Sequence, residues 1–159
     1  MANKFIQLIQ HPVKFRMFLL YKLPSAFFSG VRVKYADEEK CVVTVPFKWF
    51  SQNPFRSTYF ACLSMAAEMS TGVLGLAHIH GRKPAVSMLV VSIKGDFLKK
   101  AIGKTTFTCN DGAAIKKTIE EAIATGEGKA ITAKSSGVNE QGEVVAVFEV
   151  TWSFKAKQA

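Results

Sequence analysis

Cysteine is scarce and poorly spaced for chemistry. There are three, Cys41, Cys62 and Cys109, an odd number with no C-x-x-C pair. This argues against a disulfide framework or a cysteine-rich zinc site and suits a reducing, cytoplasmic compartment. Histidine is as sparse: His11, His78 and His80. His78-Ile79-His80 has no third ligand nearby and no H-E-x-x-H pattern exists, so no metal is expected. There is no G-x-S-x-G elbow. Gly126-Glu127-Gly128-Lys129 lacks the spacing of a phosphate loop, and Gly72 and Gly75 form no G-x-G-x-x-G, so no nucleotide cofactor is expected. No uninterrupted apolar run reaches ~18 residues, so no transmembrane helix is expected. His11, Pro12, Lys14 and Arg16 interrupt the apolar residues before Phe18-Leu19-Leu20, which does not read as a signal peptide. Internal repeats and low-complexity linkers are also missing, and residues 1–159 read as a single domain.

Acidic residues are absent from the first 34 positions, which carry Lys4, Lys14, Arg16, Lys22, Arg32 and Lys34. Much of the net charge of +9 therefore sits in this segment. Such a balance favours anionic partners: nucleic acid, a membrane, or a phosphate-bearing ligand. Outside the segment no basic patch interleaved with aromatics is evident, so nucleic acid is not expected. Phe5, Ile6, Leu8, Ile9, Phe15, Phe18, Leu19 and Leu20 alternate with basic and amide groups, predicting helices over 3–10 and 12–22, with Pro12 opening the second. This helical arm, residues 1–28, either packs on the domain or offers a face for weak membrane-surface or carrier-protein contact.

Apolar residues make up 48% of the chain, enough for a substantial core. Val31, Val33 and Tyr35 alternate with polar residues, Asp37 to Lys40 makes a turn, and Cys41 to Phe47 returns as a hairpin partner. From Ser57 to about Ile79 no proline occurs, and Ala61, Cys62, Ser64, Ala66, Ala67, Ser70, Thr71, Gly72, Gly75 and Ala77 are all small. A long helix apolar on nearly all sides is buried, and its small side chains let a sheet wrap it closely. Ala85–Phe97 and Lys104–Cys109 read as strands. Ala113–Ala124 reads as an amphipathic helix burying Ile115, Ile119 and Ile123. Lys129–Ser136 and Glu143–Phe154 form a last hairpin. Antiparallel strands around segregated helices indicate an α+β fold.

Glu68 is the only acid between Glu39 and Asp96, and it falls in the middle of the small-residue helix. A carboxylate there reaches the surface, pairs with a strand lysine, or stays buried with a raised pKa. In the last case it is a natural general base. Just upstream, Asn53, Arg56, Ser57, Thr58 and Tyr59 place amide, guanidinium and hydroxyl groups beside a helix start. Its free N–H groups can stabilise an oxyanion. Ser57 or Thr58 is equally a plain helix cap.

In this order these features resemble the hotdog-fold thioesterases. More narrowly, they are similar to thioesterase-like proteins related to the phenylacetate-pathway and 4-hydroxybenzoyl-CoA enzymes. The resemblance covers nearly the whole chain: the basic arm with Pro24 and Gly30, Val43-Thr44-Val45-Pro46, Asn53 with Glu68 fifteen residues later, Asp96 to Ala101, Gly142 with Val144-Val145-Ala146, and Thr151-Trp152.

The resemblance implies an antiparallel sheet wrapped around a long central helix. It implies hydrolysis of an acyl-CoA or acyl-carrier-protein thioester to free acid and thiol, with no cofactor, between the subunits of a homodimer that can pair into a tetramer. Glu68 matches the acid that activates water or attacks the thioester. The backbone N–H of Phe60, eight residues earlier, matches the donor to the carbonyl oxygen, with Asn53 or Tyr59 orienting water or carbonyl. Arg56, Arg82, Lys83, Lys99 and Lys100 are candidates for the coenzyme A phosphates, with Ser57 and Thr58 beside them. The family often has a His-Gly or His-Ala-Gly stretch at the helix start, where this chain reads Tyr59-Phe60-Ala61. That departure supports a second reading: a non-catalytic hotdog protein binding an acyl or lipid ligand.

Overall fold

A computed structural model of the chain describes residues 3–157; the first two residues of the arm lie outside them. The arm consists of α1 (Lys4–Gln10), α2 (Pro12–Lys22) and a short α3 (Pro24–Phe28). Asn3 caps α1, its Oδ1 accepting the N–H groups of Phe5 at 3.0 Å and Ile6 at 3.4 Å. Pro12 occupies the first turn of α2, where its missing N–H costs nothing. Phe5, Ile6, Ile9, Phe15, Leu19 and Ala26 are buried. The arm therefore packs on the domain through one face, and Val13, Met17 and Tyr21 remain exposed on the other.

The strands are β1 (Arg32–Ala36), β2 (Cys41–Val45), β3 (Val86–Phe97), β4 (Thr105–Cys109), β5 (Lys129–Val138) and β6 (Val144–Ala156). They form one sheet in the order β1-β2-β4-β5-β6-β3, with every pairing antiparallel. The long helix α4 (Phe60–Ile79) is wrapped by this sheet, and α5 (Gly112–Thr125) packs beside it. Although α4 is long and apolar enough to cross a membrane, most of it is buried as the core helix. On α5, Ile115, Ile119 and Ala122 are fully buried, whereas Ile123 is only partly so.

Two polar contacts fix α4 on the sheet. The hydroxyls of Ser70 and Ser135 meet at 2.7 Å, and the Trp152 indole N–H donates to Thr71 Oγ1 at 2.8 Å. Burying these groups is tolerable because each finds its partner. Gly72 allows the close approach: a Cβ there would stand 3.1 Å from the Trp152 ring.

The structure differs from the sequence expectation at the short helix α3, at the start of α4 and in β1. The helix begins at Phe60 instead of Ser57, because Thr58 is held extended: its N–H and hydroxyl both donate to the Ala101 carbonyl, at 2.8 and 3.1 Å. The cap is Tyr59, without a side-chain hydrogen bond, so neither Ser57 nor Thr58 caps α4. In β1 the pairing shifts between Val33 and Tyr35, turning Tyr35 outward and Ala36 inward.

Candidate active site

The turn before α4 is built around Asn53. Its Oδ1 accepts from the N–H groups of Phe55 at 3.0 Å and Ser57 at 3.2 Å, and its Nδ2 donates to Ser57 Oγ at 3.0 Å. This side-chain turn carries Arg56 at φ 57°, in the left-handed region. Ser57 and Thr58 are buried and hold the turn against the chain at Ala101, while Lys100 Nζ donates to the Phe55 carbonyl at 3.0 Å. Asn53, Ser57, Thr58, Tyr59, Phe60, Lys99 and Lys100 thus line one open cleft of about 630 Å³, joined by Leu63, Phe97 and Leu98. Lys99 is drawn away toward Glu143, 2.6 Å from its carboxylate.

The cleft ends on the start of α4. Among the described residues no acceptor meets the Phe60 N–H, as expected for an N-terminal helical donor. That donor is part of the positive end of a helix of 20 residues. Tyr59 and Phe60 are half exposed at the rim, with ring centroids 4.9 Å apart.

Glu68 lies elsewhere. Eight residues along α4, it stands roughly 12 Å from Phe60 along the helix axis. Its residue borders a second, apolar and half-open cavity of about 210 Å³, lined by the arm residues Phe15, Phe18 and Leu19 on one side and by Met88 and Trp152 on the other. No ion pair or hydrogen bond reaches the carboxyl among the described residues, so it does not pair with a strand lysine. Burial pushes its pKa above the usual glutamate range.

The remaining candidates are apart from both places. Arg82 and Lys83 follow the far end of α4, roughly 28 Å from Phe60 at 1.5 Å per residue. Arg82 faces Glu120 at 3.6 Å. Two features of the site escaped the sequence reading. Gly72, one turn beyond Glu68 on the same face, offered a spacing signal; the arm's lining of the Glu68 cavity offered none. No group of three or more possible metal ligands occurs among the described residues.

No family model and no curated protein matches the sequence. Solved structures do. A Pseudomonas aeruginosa protein of unknown function, described as a probable thioesterase, superposes with a TM-score of 0.78 at 21% identity, covering 92% of this chain and 97% of its own. A Chlorobaculum tepidum protein of unknown function gives 0.78 at 14% identity over 98% and 100% of the two chains. A Haemophilus influenzae thioesterase gives 0.64 at 12% identity over 91% and 90%. The architecture is the hotdog fold: an antiparallel sheet around a long central helix.

Proposed function

We propose that this protein hydrolyses an acyl thioester, of coenzyme A or of a carrier protein, as a homodimer in the cytoplasm. The observation that carries the reading is the Glu68 carboxyl, half-buried and without a charge partner among the described residues, beside an apolar cavity on the core helix. A raised pKa brings a carboxylate closer to the proton affinity a general base needs. The names of the Pseudomonas and Haemophilus neighbours support the same chemistry.

In this mechanism the ionised Glu68 takes a proton from water, and the water oxygen bonds to the thioester carbonyl carbon. The carbonyl oxygen becomes an oxyanion held by the Phe60 N–H, for which one lost donor commonly costs ~10²–10³ in rate. Collapse reforms the carbonyl, breaks the C–S bond, and the departing sulfur takes the proton from Glu68. The Asn53 amide is engaged within its turn, so it positions Phe60, and the Tyr59 hydroxyl at the rim is the side chain left to orient carbonyl or water. Lys100 in the cleft, and exposed Arg56 in the turn beside it, are the cations nearest for coenzyme A phosphates.

One chain holds the donor and the acid too far apart for one carbonyl. The reading therefore pairs the Phe60 N–H of one subunit with Glu68 from the other. The outer strand β3 supports such a pairing: 12 residues long at the sheet edge, it exposes Leu89, Val91 and Ile93.

Release of free thiol from acyl-CoAs tests the proposal. Glu68→Gln is expected to lower turnover ~10²–10⁴-fold, the usual worth of a general base. Undiminished turnover would falsify the assignment. The second reading, an acyl or lipid binder without turnover, is favoured by one observation: Tyr59 and Phe60 crowd the helix start. Acyl-CoA binding with no thiol release on any substrate would establish it.

A further inference from the structure

The Glu68 cavity has a defined size and a single polar group. Its volume is about 210 Å³, and apart from Glu68 the side chains facing it are apolar, among them Phe15, Phe18, Leu19, Val73, Met88 and Trp152. An occupant needs an apolar body of matching size, with a polar atom only at the end nearest the acid. A free carboxylate would meet the Glu68 carboxylate, so the cavity favours a neutral acyl derivative and rejects the acid formed from it.

We infer that this cavity is the acyl subsite and selects chains of about six to eight carbons or a single aromatic ring. The inference rests on the hydrolase reading of Glu68 for the placement of the carbonyl. Its size limit comes from the walls. At about 30 Å³ per water-sized group, 210 Å³ takes about seven heavy atoms, and an apolar cavity of about 150 Å³ already admits benzene. Trp152 anchors the far wall through its bond to Thr71, and the flexible Met88 side chain fills the rest of that wall over Gly75, its methyl 2.5 Å from where a Cβ would stand. The arm lines another side through Phe15 and Leu19, both buried and so fixed in place.

Calorimetric titration of the Glu68→Gln protein with butyryl-, hexanoyl-, octanoyl-, lauroyl-, palmitoyl- and benzoyl-CoA tests this. Wild type is assayed for thiol release on the same panel. Affinity should climb about fourfold per methylene up to the limit, the worth of a buried CH₂. It should peak at hexanoyl to octanoyl, with benzoyl alongside, and fall at least ~10-fold by palmitoyl. In the same background, Met88→Ala should move the peak to longer chains. Val73→Phe, which fills the cavity, should weaken hexanoyl-CoA at least ~10-fold. Leu76→Phe at the exposed rim is the substitute if Val73→Phe does not fold. Affinity that rises steadily to palmitoyl, or a filled cavity that binds hexanoyl-CoA unchanged, overturns the inference. If wild type releases no thiol but binding still peaks at this length, the hydrolase reading fails and the subsite stands. Equal release from palmitoyl- and hexanoyl-CoA removes the subsite and leaves the hydrolase.

Discussion

With no ion pair or hydrogen bond at the Glu68 carboxyl among the described residues, burial acts on its titration and favours the neutral acid. Its folded-state pKa therefore exceeds its unfolded one. The stability this contributes is complete below the unfolded pKa and disappears as pH rises through the folded pKa. Glutamine cannot ionise, so Glu68→Gln should melt at a higher temperature than wild type at pH 7 and at nearly the same temperature near pH 4. Thermal melts at the two pH values check this; a variant less stable at pH 7 by the same margin as at pH 4 contradicts it. Activity should run the opposite way: the acid limb of kcat/KM against pH should have its midpoint above the ordinary glutamate value of 4.5. Glu68 was legible in the sequence because an acid alone in a small-residue helix is costly and conspicuous. Asn53 was legible as a position but not as a role, since its three-way turn depends on Ser57 and Phe55 folding back on it.

At the scale of elements, α4 couples the two parts of the site through its packing on the sheet. Thr71 accepts the buried indole N–H of Trp152, and Trp152 walls the Glu68 cavity. Thr71→Val keeps shape and removes the acceptor, which should cost about 1–3 kcal/mol for the donor left unpaired. Urea unfolding measures the loss, and a change within error of zero would mean that another acceptor is reached. The α4 pattern itself was readable from composition, as were the hairpins from their alternation. Its true start was not, because Thr58 is held extended by Ala101, a partner 43 residues away. The β1 irregularity and the short helix α3 were likewise missed: the first depends on register with β2, and the second has five residues, too few for a periodic signal. The arm's charge was plain in the sequence, but which of its faces packs was decided only by what the core leaves open.

At the scale of the whole molecule, the separation of Phe60 from Glu68 makes a strong demand on assembly. A site shared between subunits predicts complementation between two inactive chains. Phe60→Pro is suited to the donor side. Position 60 opens α4, where proline is tolerated and removes the N–H together with the half-exposed ring, and Tyr59 before it already has ψ 133°, compatible with a following proline. Alone, Phe60→Pro should lose ~10²–10³ in turnover, as for a missing oxyanion donor. Glu68→Gln alone should lose its base. Mixed in equal amounts and allowed to exchange subunits, half the dimers should be mixed, each with one intact site and one doubly defective one. Thiol release should return to about a quarter of wild type under the two-fold symmetry of such a pair. Were acid and donor drawn from one chain, every site in the mixture would keep a defect and no activity would return. Recovery at that level requires both the composite site and the dimer, whereas persistent inactivity after proven exchange would place the carbonyl within a single subunit and discard the Phe60 donor.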